Sequence, residues 1–117
     1  MTIPNELSVT GQAEFAFEVV AEDGGVLVSI WGELDLATAA ALREILVSPE
    51  VFDAPKVRVD LTGVEFLGST GIGVLVTACK RVRALGGTFS VICGRGEPRR
   101  VLEVSGLIEY LQIGDAP

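Results

Sequence analysis

The chain has 117 residues, 49% of them hydrophobic and 21% charged, and this balance predicts one globular domain rather than a disordered segment. Its 16 acidic and 9 basic residues give a net charge of −7, which argues against DNA as the main partner. Histidine is absent, so the commonest general base and metal ligand is excluded and neither a metal site nor a cofactor is expected.

The apolar stretches bear on the compartment of the protein. The first ten residues lack the basic and apolar parts of a signal peptide. The longest uncharged run, residues 66–79, is 14 residues long and is therefore too short to span a bilayer. Cys79 and Cys93 lie in apolar stretches without metal-ligand spacing, as expected of thiols buried in a reducing cytosol. The sequence therefore predicts a cytoplasmic protein.

Alternating hydrophobicity predicts two strands in the first third of the chain. The large apolar Phe15, Phe17 and Val19 alternate with Glu14, Ala16 and Glu18, and Asp23-Gly24-Gly25 is a hairpin signal. Residues 26–31 are apolar on both faces, which is typical of a central strand. Apolar residues then recur at helical spacing over 39–46, and Pro49 ends that helix.

The second half of the chain repeats the order of strand and helix. Residues 56–61 form a predicted strand that runs into a turn at Gly63, and a helix is predicted from Thr70 to about Leu85. One stripe of this helix is predicted to be buried: Ile72, Leu75, Val76, Cys79 and Val82.

Further turn signals delimit the remaining elements. Gly86-Gly87 ends the long helix, residues 88–93 form a strand, and Pro98 fits the first turn of a helix ending before Gly106. Residues 107–113 fit either a short helix or an edge strand. Strands separated by such helices predict an α/β domain with a mixed, mostly parallel sheet, spanning residues 13–113. Residues 1–12 and 114–117 are predicted to be flexible ends.

A small hydroxyl lies where the third strand meets its helix. The sequence Gly68-Ser69-Thr70-Gly71 places Ser69 at a predicted helix N-cap, where free backbone N–H groups and the positive end of the dipole favour an anion. A serine at this position also has a plain structural interpretation, as a cap that only stabilises the helix.

Three segments together resemble a known family. Gly32-Glu33-Leu34-Asp35, residues 60–75 and Ser105-Gly106-Leu107, in this order and spacing, resemble the STAS-domain family of bacterial anti-sigma factor antagonists. The resemblance extends over residues 15–113 and implies a regulatory binding module, not an enzyme. It implies binding to a serine-kinase anti-sigma factor and release of a sigma factor. It also implies that the kinase phosphorylates Ser69, that a phosphatase resets it, and that Asp35 lies beside it.

One residue departs from the family pattern. The family usually has Asp before the phosphorylated serine, whereas this chain has Gly68. A neighbouring carboxylate could orient the hydroxyl or steer the cofactor complex of the kinase. The alternative functions are therefore a STAS-type scaffold that is never phosphorylated, or a module that senses a small ligand.

The helix after Ser69 offers a candidate docking patch. Gly71 and Gly73 are expected to leave the first turn approachable by another protein, with Val74 and Ala78 on the stripe away from the core beside Thr77 and Arg81. The predicted partner-binding residues are Asp35, Gly68, Ser69, Thr70, Gly71, Gly73, Val74, Ala78 and Arg81. Isolated apolar surface residues without a function are the alternative interpretation.

Charge is unevenly distributed along the chain. Residues 1–66 carry 12 acids and 3 bases, and residues 67–117 carry 4 acids and 6 bases. Six basic side chains could meet an acidic protein surface or form only a solvated face: Lys80, Arg81, Arg83, Arg95, Arg99 and Arg100. An acidic surface without heptads or a long exposed apolar edge predicts a monomer.

Two other classes of function are weighed against binding. A serine hydrolase is excluded because no histidine can activate Ser69, and Lys80 lies more than two helical turns from Thr70. Asp35 and Asp60 could share a cleft, although Asp35 also fits a helix cap and Asp60 a surface charge at a strand end. A nucleotide-binding loop is suggested by the glycines of 68–73, but about eight residues separate Leu61 from Thr70, where the dinucleotide fingerprint requires a tight turn.

Overall fold

The computed structural model describes residues 6–9 and 14–115. These residues form six strands and four helices. In chain order they are β1 (Glu6–Val9), β2 (Glu14–Glu22), β3 (Gly25–Leu34), α1 (Leu36–Leu46), α2 (Pro49–Phe52), β4 (Lys56–Leu67), α3 (Ser69–Ala84), β5 (Thr88–Ile92), α4 (Glu97–Val104) and β6 (Ile113–Gly114).

The strands of the sheet lie in chain order, β1-β2-β3-β4-β5-β6. β1, β2 and β3 pair antiparallel, whereas β3, β4, β5 and β6 pair parallel through helical crossovers. The predicted mixed, mostly parallel sheet is therefore confirmed. The two-residue turn Asp23-Gly24 joins β2 to β3, and Gly24 has a φ of +82°, which glycine adopts without strain.

Alternate residues of the central strands build the core. Val28 and Ile30 of β3 and Val57 and Val59 of β4 are buried on one face of the sheet, in one cluster with the apolar sides of the helices. Burial of this apolar surface is the main stabilising contribution to the fold. α1 and α3 pack against each other as well as on the sheet.

β4 is longer than predicted, because it continues through Gly63 to Leu67. Trp31 of β3 lies over Gly63, so closely that a Cβ atom at residue 63 would overlap Trp31 Cδ1. Register shifts between β3 and β4 absorb the irregularity at this point. The predicted turn at Gly63 is therefore wrong, and glycine serves there to admit an indole.

α3 matches its predicted bounds to within one residue at each end and ends as predicted. Gly86 has a φ of +86°, and the Gly87 N–H donates to the Val82 carbonyl at 2.9 Å, while the Gly86 N–H donates to Arg83. These two bonds form a Schellman motif, which satisfies carbonyls that the helix end would leave unpaired. Pro98 lies in the first turn of α4, as predicted.

The ends of the domain differ from expectation. Glu6–Val9 pairs with β2, so the prediction of a flexible segment is wrong for these four residues. Residues 1–5 and 10–12 lie outside the described residues. Residues 108–112 form turns and lead into the edge strand β6. Gly114, predicted to be flexible, accepts a hydrogen bond from the Cys93 N–H at 3.1 Å; residues 116–117 lie outside the described residues. Within the described part of the chain, no helix is long and apolar enough to cross a membrane.

Candidate functional site

The site is built where β3 and β4 end side by side. Leu34 and Leu67 are register partners, and the Gly68 N–H donates to the Leu34 carbonyl at 2.8 Å. Each strand passes into a helix after a single residue, Asp35 before α1 and Gly68 before α3. Because parallel strands end at the same edge of a sheet, Asp35 and Ser69 leave that edge from neighbouring strands.

Asp35 is the N-cap of α1. Its Oδ1 accepts hydrogen bonds from the N–H groups of Ala37 at 2.9 Å and Thr38 at 3.2 Å. Thr38 closes a capping box, because its buried hydroxyl accepts from the Asp35 N–H at 3.0 Å and donates to the Glu33 carbonyl at 2.6 Å. The expected capping role of Asp35 is confirmed, and its half-buried carboxylate is held rigidly at the edge of the site.

Ser69 is the first residue of α3, whereas the N-cap is Gly68. The Gly68 carbonyl accepts the first helical hydrogen bond, from the Ile72 N–H at 3.1 Å, and its backbone is extended with φ −91° and ψ 172°. The predicted N-cap role of Ser69 is therefore wrong by one position, and α3 has no side-chain cap. Ser69 is exposed, and the amides of its first turn precede the first intrahelical donor.

The two glycines in the first turns of α3 have different surroundings. Gly71 is buried, and a Cβ atom there would lie 3.0 Å from Leu34 Cβ and 3.2 Å from Leu67 Cδ1. The prediction that Gly71 leaves the helix open to a partner is wrong, because it instead lets α3 lie against the ends of β3 and β4. Gly73 is exposed, and a Cβ atom there would meet no atom within 4 Å.

Val74 and Ala78 are also not on the open surface of α3. Their exposed fractions are 8% and 7%, because α1 packs along this side of the helix. The prediction that they face away from the core is therefore wrong; they form the floor of a groove between the two helices.

This α1–α3 groove has a volume of about 510 Å³. It brings together most of the predicted docking patch, with α3 contributing Thr70, Gly73, Val74, Thr77, Ala78 and Arg81. From α1 and its C-cap it adds Arg43, Leu46 and Val47, which sequence reasoning missed although their i, i+3, i+4 spacing places them on one side of a helix. Asp35, Gly68 and Ser69 lie at the strand ends, and Thr70 connects them to the groove.

Two large apolar side chains are exposed around the serine. Leu36, directly after Asp35, is 80% exposed, and Phe66, near the end of β4, is 45% exposed. A Cβ atom at Gly68 would lie 3.2 Å from Phe66 Cε2, so glycine makes room for this ring. Large exposed apolar side chains make this end of the sheet a candidate interaction surface.

The six predicted basic side chains fall into two groups, one that stabilises the fold and one that is exposed. Arg83 donates to the Tyr110 carbonyl at 2.6 Å and lies 4.9 Å from the centre of its ring, so it ties the C-terminal turns to α3. Arg99 donates to the Cys93 carbonyl at 3.0 Å and pairs with Asp115 at 2.7 Å. These two side chains stabilise the fold, while Lys80, Arg81, Arg95 and Arg100 are exposed.

The geometry also bears on the other chemistries. β4 and α3 are joined by Gly68 alone. The expectation that about eight residues separate the strand from the helix, which argues against a nucleotide-binding loop, is therefore wrong. A different observation argues against phosphate binding at this loop: the Gly68 N–H is already bonded to the Leu34 carbonyl, and Gly71 is buried. Among the described residues, no group of three or more potential metal ligands comes together. Cys79 and Cys93 are buried and unpaired, and burial raises the pKa of each thiol.

Comparison with known proteins identifies the family of this chain. The STAS domain family model matches residues 16–116. The anti-sigma-F factor antagonist RsfB of Mycobacterium tuberculosis is 34% identical over 108 residues, which cover 92% of this chain and 80% of RsfB. An anti-sigma-B factor antagonist of Bacillus subtilis is 31% identical over 96 residues, which cover 82% of this chain and 87% of that protein.

A solved structure is similar over most of its length. The crystal structure of an anti-sigma factor antagonist from Mycobacterium paratuberculosis has a TM-score of 0.77 to this fold and 30% identity, covering 85% of this chain and 84% of that one. The chain therefore belongs to the STAS domain family, as its sequence motifs predicted.

Proposed function

We propose that this protein is an anti-sigma factor antagonist that binds a serine-kinase anti-sigma factor, releases a sigma factor, and is switched off by phosphorylation of Ser69. The relatives named above are antagonists of anti-sigma factors, which supports the binding role. The observation that carries the switch is the exposed Ser69 at the first residue of α3, beside Asp35, the N-cap of α1, and the exposed Leu36 and Phe66.

The position of Ser69 suits a modification that leaves the fold intact. Phosphorylation adds about −1.5 to −2 charges. The first turn of α3 offers the positive end of the helix dipole and backbone N–H groups without intrahelical acceptors, and both favour an anion. The hydroxyl is exposed, so no internal contact has to be broken to modify it.

The same phosphate has the opposite effect at an interface. A partner that covers Leu36, Phe66 and Ser69 would have to desolvate the phosphate or receive it against its own surface. A penalty of about 3 kcal/mol would weaken binding more than a hundredfold. In the transfer itself Ser69 Oγ forms a bond to the γ-phosphorus of ATP, ADP leaves, and the hydroxyl proton passes to a base of the kinase. Hydrolysis by a phosphatase would restore the hydroxyl.

Gly68 supports a second candidate function. It leaves no carboxylate directly before Ser69, and the Phe66 ring lies against it instead. A STAS module that binds its partner without ever being phosphorylated, or that responds to a small ligand, is compatible with this residue.

Phosphorylation assays separate the two candidates. The serine-kinase anti-sigma factors of the source organism are purified, each is incubated with the protein and ATP, and intact mass is measured. We expect one added phosphate on the wild type and on Thr70→Ala, which removes the neighbouring exposed hydroxyl, and none on Ser69→Ala. Binding without any added phosphate would favour the second candidate.

A further inference from the structure

The α1–α3 groove has features that the core of the protein does not explain. Gly73 lies within α3, where glycine weakens a helix relative to alanine. At Gly71 the contacts with Leu34 and Leu67 account for the missing side chain, but at Gly73 a Cβ atom would meet nothing within 4 Å. A glycine that no internal contact requires, on the wall of a groove, fits close approach by a group from outside the chain.

The groove is mainly apolar inside and positively charged at its rim. Leu46, Val74 and Ala78 form its floor, and Val47 at its edge is 40% exposed. Arg43 and Arg81 are its charged lining residues, and none of the described residues that line it is acidic. In a chain with a net charge of −7 this is a local reversal of sign, which selects a complementary acidic partner over a basic one.

The groove is continuous with the serine. Thr70 lines it and directly follows Ser69, so a segment lying in the groove reaches the first turn of α3. A segment that lies between two helices presents apolar side chains to the floor and polar ones to the rim, as in helix-in-groove recognition.

We infer that the α1–α3 groove receives an amphipathic segment of the anti-sigma factor, with apolar side chains against Val74 and Ala78 and a carboxylate paired with Arg43. This inference rests on the proposed function and adds the chemistry of the segment that the partner contributes. Because the segment would end beside Ser69, the phosphate would act on a partner already held by the groove.

The test fills the groove without altering the core. Gly73→Leu places a side chain where the fold leaves open space, and Ala84→Leu makes a similar enlargement at an exposed position of α3 that does not line the groove. The probe is the purified anti-sigma factor that binds the wild type, titrated calorimetrically, with thermal melts to verify folding. We expect Gly73→Leu to weaken binding at least about a hundredfold and Ala84→Leu to change it less than about threefold.

Charge reversal tests the rim separately. Arg43→Glu is compared with Lys80→Glu, an equal change at an exposed residue of α3 outside the groove lining. We expect Arg43→Glu to weaken binding about tenfold more than Lys80→Glu at low salt, and the difference to shrink as salt is raised.

The outcomes distinguish the inference from the function on which it rests. If Ser69→Asp loses the partner while Gly73→Leu binds like the wild type, the groove assignment is overturned and the proposed function stands. If none of the purified anti-sigma factors binds the wild type, both are overturned. If Gly73→Leu changes the sedimentation of the protein alone, the groove holds a second copy of this chain, and the assignment to the anti-sigma factor is wrong.

Discussion

Gly68 and Leu34 are joined by a backbone hydrogen bond of 2.8 Å, from the Gly68 N–H to the Leu34 carbonyl. This bond links the last residue of β3 to the single residue between β4 and α3. The residues that follow them, Asp35 and Ser69, therefore occupy neighbouring positions although they are far apart in the sequence. The site is thus held by the strand ends, which are rigid elements, rather than by a long loop.

The first prediction concerns the two glycines of α3. Gly71→Val introduces atoms against Leu34 and Leu67, and we expect it to destabilise the protein by about 1–3 kcal/mol. Gly73→Ala, the matched control, meets open space and removes a helix glycine, so we expect it to stabilise the protein by up to about 1 kcal/mol. Urea unfolding measures both. Equal effects of the two substitutions would contradict the packing role of Gly71.

The second prediction separates two roles of Asp35. Asp35→Ala removes the N-cap of α1 and is expected to cost about 1 kcal/mol of stability. Asp35→Asn keeps an oxygen for the Ala37 and Thr38 N–H groups, so its stability should stay close to wild type. If the carboxylate also contacts the anti-sigma factor, Asp35→Asn will bind more weakly in calorimetric titration. Wild-type affinity of this variant would limit Asp35 to capping.

The third prediction concerns pH. Burial raises the pKa of Cys79 and Cys93, an effect that the nearby charges of Arg83 and Arg99 partly offset. Since the unfolded thiols ionise near pH 8.5 and the native ones only at higher pH, the unfolded state binds fewer protons above that pH. Stability should therefore fall as pH rises above about 8.5, by up to about 1.4 kcal/mol per pH unit for each thiol.

Urea midpoints measured between pH 7 and 10 test this dependence. The double variant Cys79→Ala, Cys93→Ala is the control, because it retains every other titrating group. The double variant should be less stable at pH 7, because the buried sulfur atoms of both residues are lost. Its stability should also depend less steeply on pH. An unchanged slope in the control would assign the pH effect to other groups.

Local sequence signals predicted most helices, strands and turns, but not all of the contacts between them. The Asp23-Gly24 turn, the bounds of α3 and the glycines after it follow from short-range backbone preferences, which is why they could be read directly. Gly63 lies within β4 and not at a turn, and the space beside it is filled by the Trp31 indole from another strand. No local pattern around Gly63 contains that information.

The candidate site divides in the same way. The motif around Ser69 could be located from the sequence, whereas the burial of Val74 and Ala78 depends on where α1 packs. Likewise, a single sequence cannot distinguish Gly71 from Gly73. The first is required by contacts with Leu34 and Leu67, and these residues belong to strands that precede α3 in the chain.

The last prediction concerns Ser69. As the first helical residue and not the cap, it should tolerate Ser69→Ala with a loss well below the roughly 1 kcal/mol of a true cap. Ser69→Asp places a negative charge at the positive end of α3, so its stability should equal or exceed that of the wild type by a few tenths of a kcal/mol.

We nevertheless expect Ser69→Asp to lose the anti-sigma factor in calorimetric titration, while Ser69→Ala binds. Thr88→Asp adds the same charge at the start of β5, the end of the parallel strands opposite to Ser69. This variant should bind normally, since only a charge within the interface is desolvated. Equal affinities of Ser69→Asp and Ser69→Ala would contradict the switch.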